Sequence, residues 1–245
     1  MLSTEELKNY VYNEVQTRLG EVSCGIFSLF GQDFSEKKRL IGKKLRVMKI
    51  IQKLLRKMKY YKLSMDMNRE NDIICHFDDK FTIPQNALIM GKYFNQWDDK
   101  TVIRFSIEEG SVWTDYLAND KGWFLVSEKL KKILESVDTD IQFLKVTVEE
   151  YNGLRLSRKY YFANVLRVVD ALCLEKSKYF ETEISGIGIV YTVSKYGIYS
   201  DKTENSDVFK LGNRQQVPLF VSEKFKSLME EESITGITLM EIAAQ

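Results

Sequence analysis

The sequence predicts an α+β protein: an N-terminal helical segment (1–57), then a mixed, mostly antiparallel sheet domain (58–245) with an internal strand-helix-strand duplication. Three observations point there. Apolar residues recur at steps of three and four through much of 1–57. β-branched and aromatic runs dominate after Met58. And Leu125-Val126-Ser127-Glu128-Lys129-Leu130 returns, near 95 residues on, as Phe220-Val221-Ser222-Glu223-Lys224-Phe225.

The elements follow in chain order. Ser3 and Glu6 have capping-box spacing, with Tyr10, Val11, Val15 and Leu19 on one face beyond them and Gly20 as the stop. Asp33 and Glu36 look like a second start. From there Ile41, Leu45, Met48, Ile51, Leu55 and Met58 trace an amphipathic helix, with Arg39, Lys43, Arg46, Lys53 and Lys57 on its other faces. Near Met58 the character changes to a Tyr-rich strand, an Asx-rich loop and a short strand over 73–77. Further strands are expected at 101–107, 158–174, 186–193, 208–212 and 218–222. In each copy of the repeat an apolar strand ends at a Ser whose oxygen can cap a helix. Glu follows at the positive end of the helix dipole. The apolar faces match, Leu130, Ile133 and Leu134 against Phe225, Leu228 and Met229. Such a spacing is too long for a solenoid and suggests two half-domains about one core.

A chain of 245 residues, 44% apolar and 29% charged, has the composition of a folded soluble protein without a transmembrane helix. "MLSTEELKNYVY" lacks the order of a secretion signal, and Cys24, Cys75 and Cys173 read as reduced buried thiols, so a cytoplasmic location is expected. The net charge of +1 hides an asymmetry. Residues 37–62 hold twelve Lys or Arg and no Asp or Glu, residues 1–36 carry −4, and residues 63–245 carry −7. The basic segment allows a second reading, a nucleic-acid or anionic-membrane binder. A wide apolar face on the same helix favours its docking on protein instead.

The search for chemistry returns binding rather than catalysis. His76 stands alone, and neither Ser127 nor Ser222 lies in a nucleophile elbow. No zinc-ligand spacing exists, and no metal or other cofactor is expected. Gly186-x-Gly188 is a weak phosphate loop, better read as a strand that needs close backbone approach. The paired acids, Asp78-Asp79 and Asp98-Asp99 among them, read as solvated loop residues.

The segments "MKYYKLSMDMNRENDIIC", "WTDYLANDKGWFLVSEKLKKIL", "YYFANVLRVVDALCLEKS" and "VFKLGNRQQVPLFVSEKFKSLMEEESITGITLMEI" carry a resemblance over about residues 58–242. They resemble the bacterial immunity proteins encoded beside polymorphic toxins, in which a Gly like Gly236 precedes the last strand. The resemblance implies a cytoplasmic, non-enzymatic protein that neutralises a cognate toxin domain by stoichiometric binding, with nucleic acid not expected as a partner. The acidic body would suit a cationic toxin, such as a nuclease. Expected contact residues are loop aromatics and acids: Trp97, Asp98, Asp99, Trp113, Asp201, Glu204 and Asp207. The resemblance leaves out residues 1–57. Met58 would be a natural first residue for such a protein, so 1–57 is read either as a native helical extension or as sequence upstream of the biological start. Oligomeric state is not read from the sequence.

Overall fold

The computed structural model describes residues 58–153, 158–186, 188–212, 214–215 and 217–245; the helices expected in 1–57 lie outside these residues, as does Cys24. The described residues fall within one unit, Lys57–Gln245. In chain order its elements are β1 (Tyr60–Met65), β2 (Ile74–Cys75), β3 (Val102–Phe105), β4 (Tyr116–Asn119), β5 (Leu125–Ser127), α1 (Glu128–Glu135), β6 (Ile141–Glu150), β7 (Tyr160–Val165), β8 (Val168–Val169), β9 (Lys178–Ile184), β10 (Gly188–Lys195), β11 (Gly197–Ile198), β12 (Val208–Leu211), β13 (Leu219–Ser222), α2 (Glu223–Glu231) and β14 (Ile237–Ala244).

The α+β expectation is corrected: the described residues are mostly β, with fourteen strands and two short α-helices. The physical reason lies in how the strands are covered. One six-stranded sheet runs β2-β4-β5-β7-β6-β3, and the other runs β8-β12-β13-β1-β14-β11. In both orders the two outermost pairings are parallel and the three inner ones antiparallel. Each sheet also curls back on itself. His76, just after β2, bridges Arg104 of β3, and Leu172, just after β8, bridges Ile198 of β11. The result is two barrel-like sheets of one topology, and each encloses its own apolar cluster.

Alternation along the strands divides the side chains between cores. Leu125, Tyr160 and Phe162 fill the first barrel with Ile103, Phe105, Trp123 and Val146. Tyr60, Phe209, Phe220 and Ile242 fill the second. The intervening residues meet in a third, shared core. There Val126, Ala163 and Val165 from the first barrel join Tyr61, Val208 and Val221 from the second, with Leu130, Ile133 and Leu134 of α1 and Phe225 and Met229 of α2. Sheet therefore covers sheet, and the helices only close one part of the interface. Strands β5, β7, β12 and β13 are buried on both faces, which is why they read as mainly apolar runs, interrupted in β7 by Asn164 and in β12 by Lys210.

The second sheet is completed from the other end of the chain. In the first barrel β5, α1, β6 and β7 follow in sequence. In the second, β13, α2 and β14 occupy the places of β5, α1 and β6, and the fourth place is taken by β1. Register fixes the match. Tyr160 lies opposite Ser127 and Val146, and Tyr60 lies opposite Ser222 and Ile242. Tyr60-Tyr61 thus occupies the place of Tyr160-Tyr161.

Two local expectations change. The single strand read over 158–174 breaks at Leu166 and Arg167 into β7 and β8, because the chain leaves one sheet there and enters the other. Gly186 and Gly188 are not sites of close approach. A Cβ on either would meet no atom within 4 Å, but both have positive φ, +74° and +88°, which glycine adopts most readily. Cys75 and Cys173 are free, buried thiols, and burial pushes Cys75 up to about 12.

Candidate functional site

Corresponding residues around the two helix starts expose the difference that creates a site. Ser127 Oγ accepts from Leu130 N–H at 3.1 Å and donates to Asp115 Oδ1 at 2.6 Å. Ser222 Oγ accepts from Phe225 N–H at 3.2 Å and donates to Asp207 Oδ1 at 2.6 Å. Both hydroxyls are committed to capping. Each aspartate then reaches across to the other half: Asp115 Oδ2 accepts from Thr235 N–H at 3.0 Å, and Asp207 Oδ2 accepts from Asp138 N–H at 3.0 Å. These reciprocal bonds tie the loop after each helix to the opposite barrel. Next to the caps, Tyr61 donates to Glu223, and a hydrogen bond from Tyr161 holds Glu128 below its ordinary value. Lys131 lies over the Tyr161 ring at 5.1 Å, and Lys226 over Tyr61 at 5.6 Å.

The halves diverge at the lysine that follows. Lys224 Nζ closes onto Asp207 Oδ2 at 2.7 Å. Its counterpart Lys129 turns instead to the Glu232 carbonyl at the end of α2. What remains in the first half is a cleft of about 380 Å³ lined by Trp113, Asp115, Lys129, Arg158, Lys159 and Tyr160 among others. The Arg158 guanidinium sits over the Trp113 ring at 5.4 Å, a cation held against an aromatic face. The cations Lys129, Arg158 and Lys159 line the cleft beside the carboxylates of Asp115 and Glu128.

The residues expected from sequence fall in different places. Trp97 is half-buried: its Nε1–H donates to Lys145 O at 2.8 Å, and its ring meets Phe81, Trp123 and Phe162. It anchors the segment before β3. Asp98 forms a turn, accepting from Lys100 N–H at 2.9 Å, and Asp99 beside it is exposed. Trp113 packs inward on Phe105 and Tyr160 and outward on Arg158. Asp201 is exposed on a 3-10 turn, Ser200–Thr203, and Glu204, just after it, pairs with Arg167 at 3.1 Å. Asp207 is only 6% exposed. Burial alone would raise its carboxyl, but hydrogen bonds from Lys224, Ser222 and Asp138 together hold it below the usual carboxylate range. Asp207 therefore works inside the fold and Trp97 is partly covered by it, whereas Asp99, Asp201, Glu204 and the outer face of Trp113 remain at the surface.

Sequence reasoning missed Lys129, Arg158 and Lys159 of the cleft. A signal existed in Arg158-Lys159-Tyr160-Tyr161, a basic pair at a strand start, but nothing local shows that it faces Trp113. It also missed Lys210, buried with 4% exposure where the first barrel has Ala118. Its Nζ donates to the carbonyls of Leu88 and Ile89 at 3.0 and 2.7 Å, and burial lowers its pKa to about 8. The ammonium borders a cavity of about 70 Å³ between the barrels.

The described unit is thus a pseudo-symmetric pair of barrel-like sheets joined by a shared core. Residues 59–244 match the model of the immunity protein family Imm11, and the chain belongs to that family. No curated protein matches the chain. Among the described residues no helix is long and apolar enough to cross a membrane.

Proposed function

We propose that this chain is an immunity protein that neutralises a cognate toxin domain of a polymorphic toxin system by direct, one-to-one binding in the cytoplasm of the producing cell. The observation that carries this reading is family membership over residues 59–244, nearly the whole described unit. The protein acts by occupying the toxin, not by catalysis. The commitment of Ser127 and Ser222 to aspartates and helix ends is consistent with this, since it leaves them no role as nucleophiles. A net −7 over residues 63–245 favours a cationic toxin, whose capture is sped by charge steering. Affinity would be concentrated in a few aromatic and charged anchors. Asp98, Asp99, Asp201, Glu204 and the Trp113–Arg158 pair are the candidates at the surface. In this reading residues 1–57 are a basic helical extension, separate from the toxin-binding domain at 58–245.

The test is co-expression with the C-terminal domain of the secreted protein encoded by the adjacent open reading frame. Growth rescue and a 1:1 co-purified complex are expected, and rescue should survive deletion of 37–57. A chain that neither rescues nor co-purifies is not this toxin's immunity protein. Salt-sensitive DNA binding lost on that same deletion would point instead to the basic segment.

A further inference from the structure

The two halves differ most in what they insert between corresponding strands. Between β2 and β3, the first half places a segment that is fastened down throughout. Trp123 Nε1–H donates to Gln85 O at 2.7 Å, Asn164 Nδ2 to Lys92 O at 2.9 Å, Gln142 Nε2 to Phe94 O at 2.7 Å, and Lys210 holds Leu88 and Ile89 from the other barrel. Between β8 and β11, the second half places the β9–β10 hairpin, a two-stranded sheet paired with neither barrel. Not one of its fifteen strand residues is buried. Phe180 is 73% exposed, Ile189 57% and Ile184 41%. Two strands alone are marginal in water, and an open strand edge is a template for pairing.

The ladder identifies the open edge. Tyr191 O accepts from Gln215 Nε2 at 2.6 Å, so this carbonyl turns away from β9. Tyr191 pairs with Glu181. In an antiparallel ladder the backbone of Glu181 then also turns outward, as do those of Tyr179 and Glu183 two residues to either side. Part of the β10 edge is therefore occupied by Gln215. Among the described residues, no backbone group pairs with the outer edge of β9. The side chains of Tyr179, Glu181 and Glu183 share one face, and Phe180, Ile184 and Val190 form an uncharged patch on the other.

We propose that the outer edge of β9 is where the toxin domain docks, through an exposed strand that adds antiparallel to Tyr179, Glu181 and Glu183 and sets Lys or Arg side chains opposite the two carboxylates. This rests on the toxin-binding reading above. Charge selects this occupant over a second copy of the chain. Self-pairing over the full strand, centred on Glu181, sets carboxylate against carboxylate, and centring on Thr182 sets Glu181 against Glu183. Like charges directly opposite are destabilising, and the register centred on Phe180 avoids them only by leaving Glu183 and Ile184 outside the paired strand. A cationic strand gains what a second copy loses. The Phe180–Ile184 patch then receives apolar side chains from the same strand or its neighbour.

The experiment measures affinity of the full chain for the adjacently encoded toxin domain. Three variants are compared: Glu181→Lys with Glu183→Lys, Glu181→Pro, and the distant control Glu231→Lys. Proline at an outward N–H leaves the hairpin's own bonds intact but blocks an added strand. The proposal expects wild type and E231K to bind alike, and both hairpin variants to lose at least ~100-fold with unchanged melting temperature. Equal binding by all four proteins overturns the docking edge and leaves the toxin reading standing. A wild-type chain that does not bind refutes both. A wild-type dimer that Glu181→Pro makes monomeric, with toxin binding intact, assigns the edge to a second copy and overturns the proposal.

Discussion

Asp207 shows how one carboxylate can join two barrels. It holds the Ser222 cap, the Lys224 ammonium and the Asp138 N–H at once. Its replacement by Ala should cost about 2–4 kcal/mol by chemical denaturation, since charge-assisted bonds are lost from a buried site. Its folded pKa is lowered, so the stability it contributes is present above the unfolded value and is lost as pH falls through the folded one. Asp207→Asn should flatten that acid limb. Lys210 has the opposite consequence. With its folded value lowered to about 8 from 10.5, the unfolded chain binds the extra proton between those limits, so stability should rise with pH from about 8. The gain is at most about 3 kcal/mol. The Cys75 thiol, raised by burial, pulls the other way from about pH 9 and reduces the net rise, and buried tyrosines do so above pH ~10, because the folded state then holds the proton. Lys210→Met should abolish the rise between pH 8 and 9.5; a rise that persists in the variant assigns it to another group. Gly236 is a third such position. Its φ is +82°, and a Cβ would lie 2.6 Å from Tyr116 O, so Gly236→Ala should cost about 1–3 kcal/mol in the same denaturation assay.

Among the elements, local signals were legible and long-range ones were not. The Ser127 and Ser222 caps, the apolar faces of α1 and α2 and most strand positions follow from neighbours a few residues away. Asp207 looked like a loop acid because its reason for burial, Ser222, lies fifteen residues on, and Asp138 lies in the other half. The α+β reading rests on the helical periodicity of 1–57 and on one helix in each copy of the repeat, whereas two-sided burial of β5, β7, β12 and β13 is a property of sheet stacked on sheet. Lys59-Tyr60-Tyr61 and Lys159-Tyr160-Tyr161 are the same phrase, yet one opens the domain and the other closes its first half, so order along the chain hides their equivalence. That equivalence predicts a permutant. Joining residue 245 to residue 58 by about nine residues, the length of the β6–β7 connection, and opening the chain within that connection should preserve the far-UV spectrum and a single melting transition. Loss of cooperative melting would show that β1 is not simply the missing counterpart of β7.

For the whole molecule, the shared core makes the two barrels one folding unit. All three tryptophans, Trp97, Trp113 and Trp123, lie in the first half, so their fluorescence reports that barrel alone. Phe225→Ala, made in α2 of the second half, removes a fully buried ring from the common core. It should cost about 3–5 kcal/mol and shift the tryptophan melt as far as the far-UV melt. Two separated transitions would mean that the barrels unfold independently. The placement of β1 also has a consequence for synthesis. Tyr60 leaves the ribosome first, but its partner Ser222 is made ~160 residues later, roughly 10–30 s at ordinary elongation rates. The first barrel can close while translation proceeds. The second must wait, with an aromatic strand held open, until β13 and β14 have emerged.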